Sequence, residues 1–191
     1  IARAVCGAIT FSPYAKKPKN IALTQLGTDQ TGIVDEGAAE IVAYDPAGLD
    51  LYVINADAKT VDVLDISDPA TPTFVTAIDV SADLPGSGGV NSVALHDDIV
   101  AVAVENDDKQ AKGWAAFYST DGSFLGAVEA GALPDMVTFT HNGQYVLVAN
   151  EGEPSDDYSV DPEGSITVID LRNGVAAAMA RTAGFGDFDL D

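Results

Sequence analysis

The chain has 191 residues, enough for one domain of ordinary size, and its 47% hydrophobic content excludes a wholly disordered polypeptide. It carries 30 Asp and Glu against 9 Lys and Arg, and the formal net charge of −21 excludes nucleic acid or an anionic membrane surface as a general partner. No apolar run approaches the roughly 18 residues of a transmembrane segment, and the single Cys6 excludes an intrachain disulfide. Few basic residues with abundant Asp, Gly, Thr and Val are typical of a secreted or cell-surface bacterial protein, extracellular or periplasmic.

Short alternating strands, separated by turns rich in Gly, Pro, Asn and Asp, follow one another along the chain. Residues 21–26 (IALTQL) are the first predicted strand, and a polar loop follows it. Four more strands lie in residues 41–80, with the sequences IVAY, LYVIN, TVDVLDI and TFVTAIDV. Four short strands joined by tight turns predict an antiparallel meander.

The same pattern occurs twice more, in NSVALHD to SFLGAVEA and in MVTFTHNG to VAAAMAR. Glu40, Asn91 and Asp135 precede equivalent first strands, at separations of 51 (91 − 40) and 44 (135 − 91) residues. A period of roughly forty to fifty residues with four strands per unit is typical of β-propeller blades. We therefore predict an all-β fold, a β-propeller of four-stranded antiparallel blades, with blades at 38–80, 91–130 and 135–181 in a single domain that spans residues 1–191.

Closure of the ring is the second structural expectation. Residues 21–26 precede the first blade as TFVTAIDV and SFLGAVEA precede the next two, so we predict that they form the outer strand of the closing blade. Three blades and one strand do not complete a ring of the usual four to eight blades. The ring therefore needs a longer polypeptide or several copies, and we expect the longer polypeptide, of which this chain is the N-terminal part.

Acidic residues concentrate in loops that a propeller places on one face. The loop into the first strand of a blade and the loop between its second and third strands emerge on the same side. Calcium takes six to eight oxygen ligands, which carboxylates on such a face can supply. The predicted calcium ligands are Glu36, Glu40, Glu105, Asp135, Glu151, Glu153, Asp156, Asp157 and Asp161. A solvated acidic face without a bound ion is the alternative, and the sequence leaves both open.

Other chemical signals are weak. His96 and His141 end first strands on the opposite face and are expected to be structural, and Trp114, Phe117 and Tyr118 are expected in the core between blades. No G-x-S-x-G elbow, P-loop or G-x-G-x-x-G motif occurs in the sequence.

Several long strings resemble one protein family. DEGAAEIVAYDP, LYVINADAKTVDVLDISDPATP, GGVNSVAL and VLVANEGEPSDDYSVDPEGSITVIDL are similar to the N-terminal part of the choice-of-anchor I family, over residues 26–172. The resemblance implies a secreted or surface-anchored bacterial protein built on a YVTN/WD40-like propeller. Members are often labelled alkaline-phosphatase-like or esterase-like. The family's later blades and its anchor have no counterpart in these residues.

Two functions follow as hypotheses. The first is a calcium-binding propeller that serves as a binding or structural module outside the cell, with divalent cations and surface ligands as partners. The second is a metal-dependent phosphoesterase of alkaline phosphatase or phytase character, which acts on phosphorylated small molecules at the acidic face. An enzyme of this kind needs cations to hold phosphate, and Lys59, Lys109 and Lys112 are the lysines near these loops.

Overall fold

The computed structural model describes residues 22–34 and 37–188, which form three four-stranded antiparallel sheets in chain order. Blade 1 contains β1 (Val42–Asp45), β2 (Asp50–Asn55), β3 (Thr60–Asp65) and β4 (Thr73–Asp79). Blade 2 contains β5 (Ser87–His96), β6 (Ile99–Asn106), β7 (Lys112–Ser119) and β8 (Phe124–Ala132). Blade 3 contains β9 (Pro134–Phe139), β10 (Tyr145–Asn150), β11 (Ser165–Asp170) and β12 (Met179–Ala183). The predicted all-β propeller fold is confirmed.

Alternation of side chains places a face of every sheet against a neighbouring sheet. In β10, Val146 and Val148 are fully buried, while the alternating residues Tyr145, Leu147 and Ala149 are only partly buried. Their partner strand pairs in register from Tyr145 with Asp170 to Asn150 with Ser165. The period-2 pattern of the sequence therefore assigns both the strands and their faces.

Two hydrophobic clusters hold the three blades together. One joins blades 1 and 2 and contains Tyr52, Ile54 and Tyr118, and the other joins blades 2 and 3 and contains Phe117 and Ile169. Adjacent residues of β7 thus point into different clusters, because successive side chains of a strand face opposite ways. The aromatic residues Phe117 and Tyr118 are both fully buried, as the sequence predicted.

Two segments differ from the predicted strands, and two short helices connect or follow the blades. Residues 22–28 form no strand, and Ile21 lies outside the described residues. To pair as an outer strand, this segment needs a blade beyond the three described here. Its place in a closing blade therefore remains a prediction. Residues 175–181 were predicted as a strand, but Val175–Ala177 form a 3-10 helix and β12 begins at Met179. A four-residue helix, α1 (Val80–Asp83), connects blades 1 and 2, and a second 3-10 helix occupies Gly186–Phe188.

Three carboxylates stand side by side on neighbouring strands of blade 1. Asp50 pairs directly with Asp45 on β1 and with Asp65 on β3, and Asp45 is only 6% exposed. Burial first, and then the charges of Asp65 and Asp45, raise the pKa of Asp50 above its usual value. Like charges directly opposite one another in a sheet destabilise it, so this arrangement opposes folding at neutral pH.

Replacing Asp50 with asparagine is therefore expected to stabilise the protein. The raised pKa means that the folded state binds this proton more tightly than the unfolded state, so stability is gained as the pH falls through the folded-state pKa. At pH 7 the variant should gain roughly 0.2–1 kcal/mol, and the gain should vanish at acidic pH where wild-type Asp50 is already protonated. Calorimetric melting at both pH values measures the effect, with the exposed Asp98→Asn as control. A lower Tm for Asp50→Asn at pH 7 would contradict the repulsion.

Candidate functional site

One side of the molecule carries the turns between second and third strands, and we call it the loop face. It consists of residues 56–59, 107–111 and 151–164, together with the residues that lead into β1, β5 and β9. The antiparallel order of each sheet places these segments at the same end of the blades. All the predicted calcium ligands that the structure describes lie on or beside this face.

Their environments differ. Glu40 is exposed just before the first strand of blade 1, Asp135 is exposed within β9, and Glu36 lies outside the described residues. Glu105 is partly buried and accepts hydrogen bonds from Gly89 N at 3.0 Å and Asn91 Nδ2 at 3.4 Å. The remaining predicted ligands are exposed on the longest loop: Glu151, Glu153, Asp156, Asp157 and Asp161.

These carboxylates share a face but do not form an assembled metal site. Within residues 22–34 and 37–188, no group of three or more His, Cys, Asp or Glu side chains is placed so that it could hold a metal ion. The residues as arranged therefore do not fit a preformed calcium cage, which needs six or more oxygens around one point.

The loop from residue 151 to residue 164 has an ordered shape of its own. At its base, Glu151 N donates to Leu133 O at 2.9 Å and Gly152 N donates to Ala132 O at 3.3 Å. At its tip, Ser155 N donates to Val160 O at 2.8 Å and Tyr158 N donates to Ser155 O at 2.8 Å. Gln110 of the neighbouring blade donates from Nε2 to Glu153 O at 3.3 Å. Backbone contacts therefore fix the loop, while most of its acidic side chains point to solvent.

Asp157 has a structural part in this tip. One carboxylate oxygen, Oδ1, accepts from Ser159 Oγ at 2.7 Å, from Ser155 Oγ at 2.9 Å and from Ser159 N at 3.0 Å. Hydrogen bonds from the side chain and backbone of Ser159, and then from the Ser155 side chain, lower the pKa of Asp157 to about 2. The carboxylate is charged at any physiological pH and supports the turn, so it offers less to a cation than its neighbours do.

A repeated asparagine ends the second strand of each blade, and the sequence reasoning missed its role. Asn55, Asn106 and Asn150 are separated by 51 (106 − 55) and 44 (150 − 106) residues, the same period as the first strands. Asn55 Nδ2 donates to Asp62 Oδ2 at 2.9 Å, and Asn106 Nδ2 donates to Lys112 O at 3.0 Å. Each amide thus links its strand to the third strand or the turn that precedes it, at the root of the loop face.

Asn150 makes the most extensive of these links and is only 3% exposed. Its Oδ1 accepts from Gly131 N at 3.0 Å, and its Nδ2 donates to Thr167 Oγ1 at 2.9 Å, Ser165 Oγ at 3.1 Å and Ser165 O at 3.2 Å. A Cβ on Gly131 would lie 2.7 Å from the Asn150 amide carbon, so glycine leaves room for this contact. The buried amide joins β8, β10 and β11 directly beneath the acidic loop.

Much of the acid content also has a local structural use. An aspartate that accepts a hydrogen bond from the backbone N–H two residues later starts a turn. Among the described residues, eight aspartates do so at 2.6–3.1 Å: Asp45, Asp65, Asp68, Asp79, Asp108, Asp121, Asp157 and Asp170. Asp170 is also bound by the Arg172 guanidinium at 2.6 Å, which lowers the pKa of Asp170 to about 2. Turn formation therefore accounts for part of the acidity that suggested cation binding.

The histidines lie away from the loop face. His96 Nε2 is 3.4 Å from His141 O, its Nδ1 is 3.4 Å from Asp97, and its ring lies on Phe139 with centroids 5.7 Å apart. These are contacts of a structural histidine, which agrees with the expectation from sequence. Among the described residues, no helix is long and apolar enough to cross a membrane.

Three antiparallel blades in series, with an acidic face of ordered loops, define the protein class as a β-propeller. The choice-of-anchor I domain model matches residues 40–191, which is most of the chain, and the chain belongs to this family. No curated protein sequence matches it.

Similar solved structures support the fold. A protein assigned as a 6-phosphogluconolactonase from Bacteroides fragilis NCTC 9343 matches with a TM-score of 0.63 at 17% identity, over 91% of this chain and 47% of its own. Regucalcin from Agrobacterium tumefaciens str. C58, described as a calcium-binding protein, matches with a TM-score of 0.50 at 16% identity, over 74% and 50%. Hydrazine synthase from Kuenenia stuttgartiensis matches with a TM-score of 0.57 at 19% identity, over 76% and 37%. The chain thus spans half or less of the length of these structures, and identities this low relate the fold alone.

Proposed function

We propose that the chain is part of a secreted or cell-surface bacterial propeller that acts as a binding module through its loop face. The observation that carries this proposal is the ordered loop of residues 151–164, whose backbone is fixed at base and tip while its acidic side chains stay exposed. A recognition surface on a rigid scaffold loses little conformational entropy on binding. Membership of the choice-of-anchor I family supports an extracellular location.

Calcium is the cation that we propose for this face. Glu151, Glu153 and Asp161 are exposed carboxylates on one loop, and hard oxygen ligands of this type suit calcium. Because no cage is preformed, the ligands must be ordered and brought together against their mutual repulsion. We therefore expect weak binding, with a Kd of about 10⁻⁴–10⁻³ M, as in extracellular calcium modules.

Calorimetric titration of the 191-residue chain with CaCl₂ tests this expectation. Wild type should bind calcium in that range and gain thermal stability at saturating ion, since a ligand of the folded state stabilises it. The double variant Glu151→Gln and Glu153→Gln should lose most of the binding because two ligand charges are removed. Asp97→Asn on the opposite face removes one charge and should bind as wild type does. Absence of both heat and Tm shift would leave the loop face as a solvated acidic surface.

A phosphoesterase on the same face is the weaker candidate. Phosphate needs cationic partners, and two of the nearby lysines already lie beside carboxylates. Lys112 Nζ is 2.7 Å from Glu129, and Lys59 Nζ is 4.0 Å from Asp107. Hydrolysis of p-nitrophenyl phosphate or phytate by the calcium-loaded chain would favour the phosphoesterase over the binding module.

A further inference from the structure

The most exposed aromatic residue in the described part of the chain lies at the tip of the acidic loop. Tyr158 is 77% exposed, and Val160, two residues later, is 51% exposed. Both belong to the loop tip, residues 155–160, which is closed by a hydrogen bond of 2.8 Å from Ser155 N to Val160 O. The ordered turn thus presents an aromatic ring and an aliphatic side chain to solvent, and aromatic rings contribute strongly to protein interfaces.

The turn does not need the Tyr158 ring. Its backbone φ is 57°, in the left-handed region that favours glycine or asparagine and strains a bulky residue. The turn uses the N–H of Tyr158, which donates to Ser155 O at 2.8 Å, and every residue except proline supplies that group. Because most of the ring is exposed, it adds little to packing. The ring is therefore available to a partner outside the chain.

The charge around the loop tip selects the kind of partner. Residues 151–164 include six acidic residues and no Lys, Arg or His. Asp156 and Asp161 flank the two apolar residues, are exposed, and form no ion pair with a described residue. A guanidinium fits this combination, because it stacks on an aromatic ring and donates to carboxylates, while its aliphatic stem covers apolar surface. A lysine ammonium pairs with carboxylates but has no planar group to stack.

We propose that the loop tip binds an arginine-rich segment of a partner protein, with a guanidinium stacked on the Tyr158 ring and its charge paired with the neighbouring carboxylates. This inference rests on the proposed function, because it names the partner of the loop face. The two ligands of this face need different groups. Calcium needs only oxygen ligands, whereas an arginine also needs the ring. Removing the ring therefore separates the two activities.

Two peptides of equal charge test the proposal on the 191-residue chain. Acetylated and amidated hexa-arginine and hexa-lysine are titrated calorimetrically in about 150 mM NaCl, which screens attraction to the acidic chain as a whole. Wild type should bind hexa-arginine about fivefold or more tightly than hexa-lysine. Tyr158→Gly suits the left-handed backbone and should fold, and it should reduce the ratio of the two Kd values to about 2 or less. Tyr158→Phe keeps the ring and should retain the wild-type ratio.

Leu49→Gly is the matched control, because Leu49 has a φ of 59° and lies in the turn between β1 and β2, at the opposite end of blade 1. It also exchanges an apolar residue for glycine at positive φ, and it should bind both peptides as wild type does. Equal Kd ratios in wild type and Tyr158→Gly would overturn the proposal, since charge alone would then explain binding. A CaCl₂ titration of the same samples separates the two conclusions. Calcium binding without an arginine preference overturns this inference alone, and the absence of both overturns the proposed function as well.

Discussion

Replacing Asn150 with alanine is expected to lower the free energy of unfolding by about 2–4 kcal/mol. The substitution leaves the N–H of Gly131 and the hydroxyls of Ser165 and Thr167 without the amide that binds them in a buried site. An unsatisfied buried polar group costs more than the net contribution of an ordinary hydrogen bond, because the desolvation penalty is no longer offset. The Tm should fall by about 5–15 °C, and hydrogen exchange in the loop that follows Asn150 should become faster.

Asn106→Ala is the matched control for this prediction. Asn106 occupies the same position of blade 2. Its Nδ2 donates to Lys112 O and its Oδ1 accepts from Asp108 N, but both hydrogen bonds lie at the exposed end of the sheet, where water replaces them. Its loss should cost about 0.5–1.5 kcal/mol. Equal effects of the two variants in chemical denaturation would show that the network around Asn150 is no stronger than an exposed one.

The sequence predicted the propeller because its signals are local and repeated. Strands such as β10 and β11 alternate visibly, and the spacing of Glu40, Asn91 and Asp135 aligns the blades without any structure. The repeated Asn55, Asn106 and Asn150 follow those three positions by the same interval, so the sequence also contained a signal for the polar links at the root of the loop face. Only the pairing register reveals that Asp45, Asp50 and Asp65 are neighbours, since they lie on three different strands.

The candidate site was less predictable for a physical reason. Blade topology places acidic loops on one face, but whether carboxylates converge depends on the backbone path of each loop and on local hydrogen bonds. Asp157 illustrates this, because the hydroxyl and N–H of Ser159 compete for the oxygen that a cation would need. A count of acids in a loop cannot separate turn-forming aspartates from ligands.

Phe117→Ala is expected to be the most destabilising single truncation, at about 3–5 kcal/mol. Phe117 is fully buried in the cluster that joins blades 2 and 3, where small residues such as Ala101, Ala103 and Ala115 leave room for its ring. These alanines cannot fill the cavity left by the ring. The variant therefore loses the transfer free energy of burying the ring, and the remaining cavity destabilises it further. Urea unfolding followed by far-UV circular dichroism should show a lower midpoint, and a lower m-value if blade 3 then unfolds separately.

The neighbouring Tyr118→Phe provides the control, since it changes an aromatic residue of the same strand that faces blade 1. The Tyr118 hydroxyl is buried and has no hydrogen-bond partner among the described residues. Burial and the charge of Asp83 raise the pKa of Tyr118, so the group stays protonated at neutral pH. Removing this oxygen should therefore leave stability unchanged or raise it by about 1 kcal/mol. If Phe117→Ala costs less than about 1 kcal/mol, blades 2 and 3 do not depend on this ring for their packing. If Tyr118→Phe is clearly destabilising, the hydroxyl donates a hydrogen bond in solution, and Asp83, whose charge raises the pKa of Tyr118, is the expected acceptor.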